Sequence, residues 1–205
     1  MPEAHEKIDH EFYTTARWNN WLGQVKESGF EFKEEENTEK EGAVFVNMTD
    51  DIILACLKVI AKYESNALSA EDAMAILDDI RGIALAEVEP ISEDIDLMIE
   101  SLQTSLIGSF AACECFIAEG FDKKAKIDDL ISAAVEAEEA EDIDSAIGYV
   151  AQIGALVLDG NSLPESMEEL PYGLVAEWLD GIDSIEAAMI GADSYKEDDG
   201  DYDVV

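Results

Sequence analysis

The run Ile91–Gly120, ISEDIDLMIESLQTSLIGSFAACECFIAEG, decides the fold. Within it Ile95, Ile99, Leu102, Leu106, Phe110, Cys113 and Ile117 recur at steps of three and four, the spacing that lines side chains along one stripe of a helix. Ser92 stands at the N-cap position and Glu93 and Asp94 fill the first turn, where carboxylates meet the positive end of the helix dipole. Gly120 is placed as a left-handed C-cap. From Leu102 to Ile117 the pattern is apolar nearly all round. Gly108, Ser109, Ala111 and Ala112 are small enough to admit other helices closely, so this helix is expected to be surrounded. A membrane span needs about 20 predominantly apolar residues, and Glu114 interrupts the run short of that length. The chain therefore reads as all-α, a single-domain bundle of about seven helices around a central long apolar helix, roughly 92–119.

Upstream, Ser69 with Asp72 three residues on opens a helix through Met74, Leu77, Ile80 and Ala84 to about Val88, and Pro90 ends the segment. Before it, Thr49 is placed as the cap of DDIILACLKVIAKYE (50–64), apolar round most of its circumference from Ile52 to Ile60. AVFVN (43–47) has strand-like composition, but a lone strand makes no sheet, so it reads as extended packing or a helix lead-in after a charged linker, 31–42. FYTTARWNNWLGQVKESG (12–29) puts Trp18, Trp21, Leu22 and Val25 on one helical face, with Thr14 or Thr15 as cap and Gly29 past the end. Two readings of Trp18 and Trp21 stay open: they dock the helix on the core, or with Arg17 they form a partner-binding site. Arg17 and Arg81, the only arginines, are each expected to pair with an acid of the same chain.

Downstream, Lys123, Lys124 and Lys126 form a basic loop, and because cations are disfavoured at a helix N-terminus the next helix is expected to start after them, at Ile127. It carries Leu130, Ile131, Ala134 and Val135 to the polar EAEEAED. A further helix runs from Asp142 to Asp159-Gly160-Asn161, followed by a loop with one helical turn between Pro164 and Pro171. The last helix, Tyr172 to about Gly191, is expected to bury Val175, Trp178, Leu179, Ile182, Ile185 and Met189. Residues 1–10 read as a disordered N-terminal tail, 11–193 as the helical domain and 194–205 as an acidic disordered C-terminal tail. EDID occurs at 93–96 and 141–144, each at a helix start, but the residues after it do not align as a duplication.

Charge and composition bound the function. The chain has 205 residues, 12 Lys plus Arg against 49 Asp plus Glu, and a net charge of −37, a field that repels nucleic acid and anionic membranes. The acidity reads either as a solvation shell for a salty cytoplasm or as a surface for cationic partners. Cys113 and Cys115 point to different sides of their helix and, with Cys56, read as reduced core residues; no secretion signal opens the chain, so a cytoplasmic location is expected. Both histidines, His5 and His10, precede the domain, leaving no Glu-x-x-His metal pair, no Ser/His or Cys/His nucleophile, no zinc spacing and no phosphate loop. DDGDYD (198–203) is half a calcium loop with no closing Glu. No catalytic, cofactor or metal residue is assigned.

Taken in order and spacing, FYTTARWNNWL, DDIILACLKVIAKYE, IRGIALAEVE, LQTSLIGSF, EDIDSAIGYVAQIGALVLDG and YGLVAEWLDGIDSIEAAM resemble an uncharacterised archaeal family found in halophiles and methanogens, over roughly residues 11–190. That resemblance implies a cytoplasmic acidic helical protein whose charge reflects salt adaptation, and it supplies no catalytic residue. The expected function is a non-enzymatic protein-interaction or regulatory module with a protein partner, no nucleic acid and no membrane, homo-oligomer formation staying open. An enzyme with a carboxylate-based site and an acidic nucleic-acid mimic are the alternatives.

Overall fold

The computed structural model describes residues 12–32 and 39–196, and within them the chain is all-α with seven α-helices. They are α1 (Thr15–Ser28), α2 (Glu39–Glu64), α3 (Ala70–Ala84), α4 (Glu93–Ile117), α5 (Ile127–Glu139), α6 (Ile143–Leu158) and α7 (Leu174–Lys196), with one 3-10 turn, Glu165–Glu169, before α7. No helix among them is long and apolar enough to cross a membrane. The expected N-terminal tail, both histidines, the half calcium loop, residues 33–38 of the expected linker and most of the C-terminal tail lie outside the described residues; linker residues 39–42 belong to α2, and α7 itself continues to Lys196.

Local chemistry accounts for most helix starts. Thr14 Oγ1 accepts from Arg17 N at 3.2 Å, Ser69 Oγ from Asp72 N at 3.1 Å, Ser92 Oγ from Ile95 N at 3.4 Å and Asp142 Oδ1 from Ser145 N at 3.2 Å. Lys126 holds the N-cap place of α5 without a side-chain bond, as expected for a helix that begins after the basic loop. Lys123 Nζ of that loop bonds Asp159 Oδ1 at 2.6 Å. At the end of α4 the left-handed residue is Glu119 (φ 52°), not Gly120; the Gly120 N–H instead reaches back to Cys115 O at 2.9 Å, completing a Schellman cap one position earlier than expected.

Two expectations are corrected. AVFVN is neither extended nor a lead-in: it lies inside α2, and Thr49 sits mid-helix with its hydroxyl bonded to Phe45 O at 3.0 Å. Phe45, Met48 and Ile52 are buried at helical spacing, so tertiary burial carries the helix upstream of the residue that resembled its cap and overrides the strand-like composition. In consequence α4, with 25 residues, is shorter than α2, with 26, and α6 is more apolar residue for residue. The helix around which the chain was expected to wind is thus one of three comparably long or apolar rods, and it keeps an outward side.

α4 packs against α2, α3, α6 and α7, and α6 packs also on α5 and α7. Three small-residue crossings set these distances. A Cβ added at Gly108 would overlap Trp178 backbone, one at Gly181 would overlap the Ser105 carbonyl, and one at Gly154 would overlap Ala112. Glu138 at the end of α5 accepts from Leu174 N (2.6 Å) and Val175 N (3.4 Å), placing a carboxylate on the otherwise uncapped start of α7. Cys56 and Cys113 are buried, Cys115 is half-buried, and all three are free thiols; hydrogen bonding to Cys113 and burial hold the Cys56 thiol well above its ordinary pKa.

Candidate functional site

α1 is the helix least embedded in this bundle, resting chiefly on α2 and α3, and its sequence gives it two working sides. Arg17 and Trp21, four residues apart, point together at α2, while Trp18 and Val25 enter the core. Asp51 on α2 receives both: Arg17 Nε at 2.7 Å, Arg17 Nη2, and Trp21 Nε1 at 2.7 Å. The guanidinium also lies 5.4 Å from the Tyr13 ring centre, and Nη1 reaches Phe12 O at 3.5 Å. Hydrogen bonding to Asp51 raises the Arg17 pKa. Tyr13 is buried with its hydroxyl unpaired, and burial, then the Asp51 charge, pushes its pKa up.

The other side of α1 bounds a cavity of about 500 Å³. Trp18 and Leu22 of α1 face Ile83 at the end of α3 and Val88 and Ile91 of the α3–α4 connection. The opposing wall is fixed by Gln103 of α4, whose Nε2 donates to Ala84 O (2.9 Å) and Ala86 O (3.0 Å). Gly23 and Gly82 line the cavity without side chains, and a Cβ added at either would meet nothing within 4 Å. Lys26 stands on one rim and Glu87 and Glu89 on the other. The surface is apolar inside, and Thr15, Asn19, Lys26, Glu87 and Glu89 are its polar lining.

Of the three residues singled out in sequence, Trp18 is buried as groove floor, Trp21 is half-buried and Arg17 is engaged by Asp51. With Trp178 also buried, at 4% exposure, no two-tryptophan surface patch forms. Arg81 likewise bonds Glu114 and Asp78. Sequence reasoning missed Asp51, which reads as an ordinary first-turn acid until α2 is extended upstream. It also missed Gly23, although an isolated glycine inside an amphipathic helix is a sign that space is needed.

A second cavity, about 200 Å³, lies between α2, α4 and α7, where Asp50 and Asp180 meet Thr49, Ser101, Ser105 and Ser184. Three of these hydroxyls are spent on backbone carbonyls: Thr49 on Phe45, Ser105 on Leu102 and Ser184 on Asp180. Burial raises both carboxyl pKa values, with Asp183 and Glu177 adding to the effect at Asp180. An acid whose folded pKa is raised binds its proton more tightly when folded, so stability falls as pH climbs from the unfolded to the folded value. Asp180→Asn is therefore expected to raise Tm at pH 7 and to lose that advantage below about pH 4, where the wild-type carboxyl is protonated in both states; melting curves at the two pH values check this. Among the described residues no group of three His, Cys, Asp or Glu is placed to hold a metal ion.

The family model described as "Uncharacterized protein conserved in archaea" (DUF2150) matches residues 11–198. No curated protein and no solved structure matches the chain.

Proposed function

The chain belongs to this archaeal family, and on that premise we propose that it is a non-enzymatic interaction protein whose α1 groove receives apolar side chains of a protein partner. The supporting observation is the groove itself: about 500 Å³ walled by Trp18, Leu22, Ile83, Val88 and Ile91, left open by two glycines. An amphipathic helix docks in such a groove through anchors at i, i+3 or i+4, and i+7. A rim carrying both charge signs sets register rather than affinity.

Gly23→Leu projects a side chain from the α1 wall of the groove, where a Cβ meets nothing within 4 Å, and it improves helix propensity by about 0.8 kcal/mol. Peptides selected on the wild-type chain from a displayed helical library are expected to bind Gly23→Leu at least tenfold more weakly. Equal binding by a variant whose melting curve is unchanged would overturn the proposal.

A carboxylate enzyme is the second reading, and the Asp50–Asp180 cavity is the observation in its favour. Turnover in a metabolite screen that disappears in Asp180→Asn while groove binding persists would move the function there.

A further inference from the structure

α2 and α4 run in the same direction and finish together. Phe45 and Thr49 share a cavity with Met98 and Leu102 early in the two helices. At the far end Tyr63, in the last turn of α2, donates its hydroxyl to the carbonyl of Ile117, the last residue of α4, at 3.2 Å. Beside that bond lies a cavity of about 330 Å³ lined by Tyr63, Glu64, Phe116, Glu119, Phe121 and Lys123, within the roughly 300–1,000 Å³ of small-ligand sites.

Three aromatic rings meet there. Phe116 and Phe121 stack with centres 6.0 Å and planes 20° apart, and the bond to Ile117 holds Tyr63 in place. Acids stand on every face of this chain, so Glu64 and Glu119 alone would mark nothing. What sets this end apart is that they join three rings at the negative ends of two helix dipoles. The last turn of α4 carries no basic residue, and Lys62 of α2 lies over the Phe12 ring instead. Neither glutamate has an ion-pair partner among the described residues. The chain's own Lys123 shows what the rings attract: its Nζ lies 5.8 Å from the Phe121 ring centre, tied to Asp159 rather than to either glutamate.

We infer that this cavity binds a trimethylammonium group, its methyls against the rings and its charge toward Glu64 and Glu119. The walls choose that chemistry. A hard metal ion asks for about six oxygen ligands, and the cavity offers two carboxylates among apolar rings. A quaternary ammonium has no hydrogen to donate and is held by ring faces and nearby negative charge.

The test uses the full chain in roughly 0.3 M sodium chloride, which screens diffuse attraction. NMR titration follows choline, its neutral carbon analogue with a tert-butyl group in place of trimethylammonium, and a short peptide carrying one trimethyllysine. Choline and the peptide are expected to bind, and the carbon analogue at least tenfold more weakly. Tighter binding of the peptide would assign the group to a protein side chain, and equal or tighter binding of choline to a free amine. Phe121→Leu, at a half-buried ring, should weaken both at least tenfold and Glu64→Gln/Glu119→Gln at least threefold, while Glu71→Gln/Glu136→Gln, two acids elsewhere on the surface, should change nothing. Both glutamine pairs replace exposed residues, so they carry the test if Phe121→Leu melts early. Failure of choline and the peptide to bind, equal binding of choline and its carbon analogue, full binding by a folded Phe121→Leu, or an equal loss in the two glutamine pairs would overturn the inference.

Discussion

Gly181→Val is expected to destabilise the protein by about 3 kcal/mol, seen as a fall in Tm on the order of 6–12 °C. Replacing a helix glycine normally helps, because glycine loses more backbone entropy on folding than any other residue. Here the new side chain would have to occupy the space of the Ser105 carbonyl and stand against the Ser109 hydroxyl on α4. Backbone cannot swing away as the end of a lysine can, so α7 must retreat, and that loosens Trp178 on Gly108 and Ile182 on Gly154 with it. Gly148→Ala on α6 is the matched control. Nothing lies within 4 Å of its Cβ, and the substitution is expected to stabilise by about 0.5–1 kcal/mol. Calorimetry on the two variants should show opposite signs; a common sign would mean that the α4–α7 crossing is not set by these residues.

Asp51→Ala is expected to release α1 while the rest of the bundle stays folded. The carboxylate is the joint acceptor for Arg17 and Trp21, and its side chain is 15% exposed, so its removal leaves a half-buried indole N–H without a partner. Hydrogen bonds to a charged group contribute about 1.5–3 kcal/mol each when buried, but the Arg17 side chain is 47% exposed and regains water, which brings the expected loss to about 2 kcal/mol. Because α1 touches little besides α2 and α3, the loss should appear locally: amide exchange in Thr15–Ser28 about thirtyfold faster, with α4, α6 and α7 unchanged. Peptide binding in the groove should weaken in parallel, since α1 is one of its walls. Asp51→Asn keeps an acceptor for Trp21 and loses the charge, so it should fall between. Uniform acceleration across the bundle would show that Asp51 supports the whole core instead.

The helical class was legible because it is written in local spacing. Ile95 to Ile117 at steps of three and four, Ser69 and Ser92 as caps, and Asp142 before α6 all depend on neighbours within a few residues, and the structure has them in those roles. Where long-range burial overrules local preference, sequence reading went astray. Thr49 resembles a cap, and only the burial of Phe45 and Met48 upstream of it makes it a mid-helix residue. Gly120 resembles a left-handed cap, yet that conformation falls on Glu119 because the last turn of α4 closes one residue sooner. The groove was illegible for the same reason. Trp18 and Leu22 are visible on a helical face, but their opposite wall, Ile83, Val88 and Ile91, lies more than sixty positions away and is fixed by a side-chain amide of Gln103. Asp51 hides among 49 acids, and only distance distinguishes it from the others.

The most direct measurement is a backbone amide NMR titration of the full chain with a peptide selected on it. The account predicts that perturbed resonances gather at Asn19, Leu22, Gly23, Gly82, Ile83 and Val88, the two walls of one groove, and that they stay still in Gly23→Leu. Perturbations spread evenly over the acidic surface, or confined to the Asp50–Asp180 cavity, would contradict it.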